Sequence, residues 1–246
     1  SWCGHRLLFD PYLSDSLTRK YADTDKPHVR MTELAVPPGS LRGIAVTTST
    51  HNHTDHLDSE TLLPLREANP NLQLVLPEAN RAFAVDRLGC EADWPVGLKA
   101  GEKANVGPFE FTGIPAAHER LETNQEGQHV YLGYVVRMGE WQLYHSGDTV
   151  RYEGMEERLT QMGPIDLAML PINGRQPERR VAGNLSGQEA AALAREVGMG
   201  TVIPCHYEMF GFNTADPTEF VQACQRLSQG HRVLRCGERG RFRKGA

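Results

Sequence analysis

The chain has 246 residues, with 26 Lys+Arg against 31 Asp+Glu for a net charge of −5, and 39% of its residues are hydrophobic. That length suits one domain over 1–246, burying roughly 70–75% of the surface its unfolded chain exposes, and the recurring hydrophobic segments exclude disorder. The longest apolar stretch, Ile165 to Ile172, falls far short of the roughly 20 residues of a membrane span, and a mildly acidic chain lacks the basic stripe of a nucleic-acid binder.

In chain order, Arg6–Phe9 reads as a short strand ended by Asp10-Pro11, and Gly43–Thr48 as a buried, β-branched strand. Leu72–Leu76 is a third strand, followed by a helix over 78–88 that Gly89 closes. Strands are expected at 103–106, 109–115, 130–138 and 141–145, the last two joined as a hairpin through Gly139. A helix over 153–162 and a strand over Asp166–Leu170 follow. Ser186 and Glu189 have capping-box spacing at the head of an Ala-rich helix over 187–197. Thr201–Pro204 is a buried strand, Asp216-Pro217-Thr218-Glu219 opens a helix by the same capping logic, and a strand near 232–235 precedes a basic tail. Strands and helices so interspersed predict a layered α/β or α+β domain.

Five cysteines, odd in number and without a C-x-x-C pair, argue against disulfides and Cys-ligated zinc. The opening SWCGHRLLFD lacks the charged start and apolar core of a signal peptide, so a reducing, cytoplasmic setting is expected.

The chemistry concentrates at His51-Asn52-His53-Thr54-Asp55-His56, directly after the strand ending at Thr48. Two histidines one residue apart on extended chain point to the same side, so His51 and His53 can converge on one cation. Asp55 and His56 follow where the chain turns toward a helix and can face a second cation. H-x-H-x-D-H arises by chance with odds on the order of 10⁻³, so an ordinary polar loop is a poor explanation.

This motif after a hydrophobic strand resembles that of the metallo-β-lactamase-fold hydrolases. The resemblance implies a four-layer αββα sandwich with a one- or two-metal site along one edge of its sheets. It also implies three further ligands in order. His118 after Ile114-Pro115 fits the third histidine of the first metal, Asp148 in His145-Ser146-Gly147-Asp148-Thr149 fits the bridging carboxylate, and His206 after Pro204-Cys205 fits the last ligand. His145 is expected to support the site without coordinating, and His5, His28, His129 and His231 are expected at the surface. His and carboxylate donors suit zinc, and also manganese or iron. Such cations lower the pKa of water from 15.7 to about 7; Asp55 would then orient the water and relay its proton, and His206 and Tyr207 complete the catalytic set.

Residues 166–174 and 204–210 resemble the L-ascorbate-6-phosphate lactonase branch, which implies a lactone or ester substrate. HNHTDHLD with the later G-D-T also resembles N-acyl-phosphatidylethanolamine phospholipase D, a phosphodiesterase of the same fold. A nuclease of this fold would need a basic groove, and a non-catalytic metal- or ligand-binding protein would be expected to show gaps in the ligand set. The expected partner is a small, anionic molecule, with neither nucleic acid nor membrane involved; homo-oligomerisation is left open. Asn173 and Tyr207 are candidates for an oxyanion, and Arg175, with Arg179 and Arg180, for an anionic substrate group, against the plainer reading of a solvated basic loop. Residues 119–129 are a candidate flap. Family members usually begin with another strand or two, so the chain is expected either to lack about 20 residues there or to have a reduced sheet edge.

Overall fold

The computed structural model describes residues 1–244. The β-branched, apolar run Ile44–Thr48 forms β2, and three short strands align parallel with it: β1 (Arg6–Leu8), β3 (Gln73–Pro77) and β4 (Pro95–Leu98). They make a four-stranded sheet in the order β1-β2-β3-β4. The sequence pattern missed β4, because a run of only four residues that starts with Pro95 and includes Gly97 carries little strand signal.

The second sheet has seven strands. β5 (Lys103–Val106), β6 (Phe109–Pro115), β7 (Leu132–Met138) and β8 (Trp141–His145) are antiparallel neighbours, and Gly139 turns the expected hairpin with φ +62°. β9 (Leu167–Pro171), β10 (Thr201–Cys205) and β11 (Gly230–His231) then add in parallel to β8. The last strand sits earlier than the expected 232–235; beyond it only the Arg232 N–H continues the ladder, donating to the Val202 carbonyl at 2.9 Å.

The helices lie outside the sheets. α2 (Ser59–Ala68) and α3 (Arg81–Leu88) pack Leu62, Ala84 and Leu88 against Leu74 and Leu76 of β3. α3 is preceded by a 3₁₀ turn over 78–80 and ended by Gly89 in the left-handed conformation. α4 (Met155–Gln161), α5 (Gly187–Val197) and α6 (Thr218–Leu227) cover the seven-stranded sheet, burying Met155, Leu193 and Phe220. The α5 capping box forms as expected: the Glu189 N–H donates to Ser186 Oγ at 3.2 Å, and the Ser186 N–H to Glu189 Oε2 at 2.9 Å. At α6 only half of that arrangement exists, with the Thr218 N–H on Asp216 Oδ1 at 2.8 Å.

Val46, Val75, Phe111, Tyr134 and Leu143 fill the space between the sheets, completing the helix–sheet–sheet–helix order. Among the described residues no helix is long and apolar enough to cross a membrane. The fold's consequence for chemistry is that β2, β6, β8, β9 and β10 all release their chains at one rim.

Candidate metal centre

His51 lies three residues beyond β2, His118 three beyond β6, Asp148 three beyond β8, and His206 directly after β10. The His51–His56 segment is not extended chain. It leaves the strand in bends and then a tight turn in which the His53 carbonyl accepts from the N–H groups of His56 (3.1 Å) and Leu57 (2.8 Å). Two contacts pull it off the ladder: Ser49 Oγ donates to the His51 carbonyl at 2.7 Å, and the Thr50 N–H donates to Asp10 Oδ2 at 3.0 Å. His51 and His53 still meet, with ring centroids 4.5 Å apart, through the turn and not by strand alternation.

All seven expected ligands converge. His51, His53 and His118 form one trio, Asp55, His56 and His206 a second, and His51, His56 and Asp148 join them, each group with its donor atoms within 4.8 Å of one another. The Asp148 carboxylate spans both trios. Its Oδ1 is 2.7 Å from His206 Nε2 and 3.4 Å from His56 Nε2, and its Oδ2 is 3.6 Å from His118 Nε2. His206 takes this position with φ +60°, in a region that non-glycine residues visit at a cost.

The donors suit divalent cations. Burial, reinforced by the neighbouring His56, holds the His51 pKa well below its ordinary value, so its imidazole is neutral. Its Nε2 is buried without a hydrogen-bond partner, a lone pair that only a cation or a donor could satisfy. Burial alone would raise the Asp148 pKa, but His206 and His56 outweigh it and hold the carboxyl ionised, well below the usual range. His56 goes the other way: burial would lower its pKa, yet Asp148, Asp55 and the Asp10 hydrogen bond hold it well above the ordinary value.

Residues behind the ligands fix their direction. His56 Nδ1 pairs with Asp10 Oδ2 at 2.7 Å, and His118 Nδ1 with the Gly183 carbonyl at 3.0 Å, so both rings present Nε2 inward. Asp10 also accepts from Thr48 Oγ1 at 2.6 Å and from the Thr50 hydroxyl, and holds φ +39°. Its only mark in the sequence was the strand-ending Asp-Pro. His145, as expected, stands behind the ligands, with Nε2 3.6 Å from Asp10 Oδ2. Tyr131 packs its ring against His51, His53 and His118, and nothing in the sequence singled it out.

The centre forms the floor of a cleft of about 370 Å³, to which His53, Asp55, His118, Asp148 and His206 are open. The expected substrate residues are placed elsewhere. Tyr207 packs on the helix side of the seven-stranded sheet, and its hydroxyl donates to the Leu234 carbonyl. Asn173 is buried, donating to Asn213 Oδ1 (2.9 Å) and accepting from Asn184 Nδ2 (3.1 Å). Arg175 is held by Glu189 of α5 at 2.5 and 2.9 Å. Arg179 donates to the Asn173 and Thr214 carbonyls, and Arg180 pairs with Asp25. Residues 119–129 fold into a compact turn, with Asn124 N–H on the Gln128 carbonyl at 2.9 Å, and none of them lines the cleft.

Part of the wall is Val181, Ala182 and Asn184, from the loop that carries these arginines, and the rest comes from residues that sequence reasoning passed over. His28, expected at the surface, lines the cleft with Tyr21, Phe210 and Phe212; of the other three, His5 is exposed whereas His129 and His231 are half-buried. Arg87 of α3 also lines it and braces the ligand turn, donating to the carbonyls of Asn52 (2.6 Å) and Leu57 (3.4 Å) on either side of His53–His56.

The fold and the centre define a metallo-β-lactamase-type protein, and comparison with known proteins agrees. Residues 5–207 match the family model of the Beta-lactamase superfamily domain. A UPF0173 metal-dependent hydrolase of Rubrobacter xylanophilus is 30% identical over 229 residues, covering 91% of this chain and 83% of that one. Among solved structures, a possible metal-dependent hydrolase from Veillonella parvula superposes with a TM-score of 0.74 at 13% identity, over 97% of this chain and 93% of that one. The isothiocyanate hydrolase from Delia radicum gut bacteria gives 0.73 at 17% identity, over 96% and 92%. The chain belongs to the metallo-β-lactamase superfamily and, within it, to the UPF0173 metal-dependent hydrolases.

Proposed function

We propose that the chain hydrolyses an ester or lactone bond in a small molecule, using two adjacent divalent cations, zinc foremost. The observation that carries this reading is Asp148, whose two carboxylate oxygens face two different ligand trios on the floor of one cleft. The likeness of residues 166–174 and 204–210 to the ascorbate-6-phosphate lactonase branch favours a lactone or ester over a phosphodiester.

Bound in the two trios, divalent cations would acidify water from 15.7 to about 7 and polarise the substrate carbonyl. The chain's residues do the rest. Asp55, open to the cleft, orients the attacking water, accepts its proton and returns that proton to the departing alkoxide. Asp148, held ionised, offsets the charge of the cations. Asp10 and the Gly183 carbonyl keep the His56 and His118 rings in the tautomer that presents Nε2. Asn213 lines the cleft, its Oδ1 occupied by Asn173, and its amide hydrogens are available to a developing oxyanion.

The test is elemental analysis of the purified protein combined with a panel of lactones, esters, bis(p-nitrophenyl) phosphate and an isothiocyanate. Turnover of a lactone or ester that a chelator removes and zinc or manganese restores is the expected result. Turnover confined to the phosphodiester would replace the ester reading, and a metal-loaded protein inert toward the whole panel would reject it.

A further inference from the structure

Two cationic side chains stand in the cleft wall beside the imidazoles, Lys20 and Arg87. Arg87 is occupied: it braces the ligand turn, and its guanidinium lies over the Phe83 ring at 4.4 Å. The three arginines of residues 173–185 are likewise tied to Glu189, to the Asn173 and Thr214 carbonyls, and to Asp25. Lys20 differs. It ends α1 (Ser16–Lys20), is exposed, and its ammonium pairs with no carboxylate or carbonyl among the described residues.

Its neighbours on the cleft side are aromatic. Nζ lies 5.2 Å from the centre of the Tyr21 ring. Tyr21 stacks on His28 at 4.2 Å with an interplanar angle of 17°, and His28 meets the rings of Phe210 at 5.0 Å and Phe212 at 4.6 Å. This aromatic face is braced by backbone pairing between 29–31 and 209–211, with the Met31 N–H on the Met209 carbonyl at 2.9 Å and the Gly211 N–H on the Val29 carbonyl at 3.1 Å. Burial lowers the His28 pKa, and the charges of Asp55 and Lys20 act on it in opposite directions, so His28 is within electrostatic reach of both. One cleft wall therefore carries an aromatic cluster and an unpaired cation, with the candidate metal ligands at its base.

Resting on the hydrolase reading above, we propose that Lys20 selects the substrate. It pairs with a carboxylate at the end remote from the scissile bond, while the apolar body of the substrate lies on Tyr21, Phe210 and Phe212. The substrate class is thus an ester or lactone of an apolar organic acid that keeps a free carboxylate. An ammonium suits this use because it is a point charge on a flexible stem and can follow an anion in the open part of a cleft.

The experiment compares 4-nitrophenyl butyrate with mono-4-nitrophenyl glutarate, which differ by a terminal carboxylate, on metal-loaded wild type, Lys20→Ala, Lys20→Glu and Lys20→Arg. The expected result is an anionic-to-neutral kcat/KM ratio that falls about fivefold in Lys20→Ala, the size of an exposed ion pair. It should fall further in Lys20→Glu and be kept in Lys20→Arg, with the loss in KM and not in kcat. Lys103→Ala, on the exposed face of β5, is the control that leaves the ratio alone. Calorimetry with 4-phenylbutyrate and 4-phenylbutyramide reads the same preference without turnover, so it decides on Lys20 even if neither ester is cleaved and the hydrolase reading itself fails. Equal changes for the charged and neutral members in Lys20→Ala, or no change for either, would overturn the proposal and leave the carboxylate to the metal centre.

Discussion

Residues 49–58 leave the end of β2 and residues 172–185 leave the end of β9, both at the same rim and both crowded with polar side chains. In the first, the side chains turn inward and their inner nitrogens and oxygens face one another, with His51 Nε2 buried and unpartnered. In the second, each arginine is bound by a partner in the protein, Val181, Ala182 and Asn184 line the cleft, and the Gly183 carbonyl orients His118. Position at a strand end is thus common to both. What separates the two is that the donors of the first gather in one cluster, whereas the charged groups of the second are each taken by a partner.

The sharpest way to break this contrast is to remove the free donors. Asp148→Ala and His51→Ala should each lose metal and lower hydrolysis by at least about 10³-fold, beyond the 10–100-fold typical of groups behind a ligand. Elemental analysis and turnover measure this together, and full activity in either variant would end the assignment.

Asp10→Asn removes the charge behind His56 and keeps the side chain's size, so metal affinity or activity should fall about 10–100-fold with the fold intact. A variant as metal-tight as wild type would show that the Thr50 and His145 contacts of Asp10 matter more than its hold on His56.

The imidazoles also sharpen the contrast through pH. The His56 pKa in the metal-free protein is raised, so its interaction with Asp148 and Asp10 is fully present below about 6.5 and is lost as pH rises through the raised value. Metal must displace that proton, so affinity should rise with pH by about tenfold per unit for each proton released. Calorimetric titration of zinc in buffers of different ionisation enthalpy checks it; uptake without proton release would contradict a protonated His56.

The smallest effect belongs to the second segment. Arg175→Ala should shift unfolding by no more than about 1 kcal/mol, because the pair with Glu189 is half exposed and screened. It should leave KM for anionic and neutral substrates alike. A KM rise confined to anionic substrates would return Arg175 to the cleft and erase the distinction between the two segments.

The candidate metal ligands were readable because each is announced locally. His51, His118, Asp148 and His206 follow buried apolar runs, and the family resemblance of the His51–His56 motif groups them. The Ser186 cap and the Gly89 and Gly139 turns were readable for the same reason, since each is decided by a few adjacent residues. Other features depend on distant partners. Tyr207 sits next to a ligand, yet its ring turns toward the helices and Leu234 takes its hydroxyl. Asp10 looks like a strand terminator until the fold sets His56 against it, 46 residues away. His28 has no partner nearby in sequence except Lys26 and Tyr21, and its aromatic neighbours Phe210 and Phe212 arrive from the far end of the chain.

The sequence by itself carried the dense His51–His56 motif and the alternation of strands and helices, and through them the family resemblance that pointed to the layered architecture and the seven candidate donors, because short motifs and hydrophobic runs are local. Tertiary structure alone decided which polar groups remain available to a substrate. Availability is what is left after every group within reach has found a partner, and in a packed domain those partners come from anywhere in the chain. Arg175 met Glu189 and became structural, whereas Lys20 met only an aromatic face and kept its charge for the cleft.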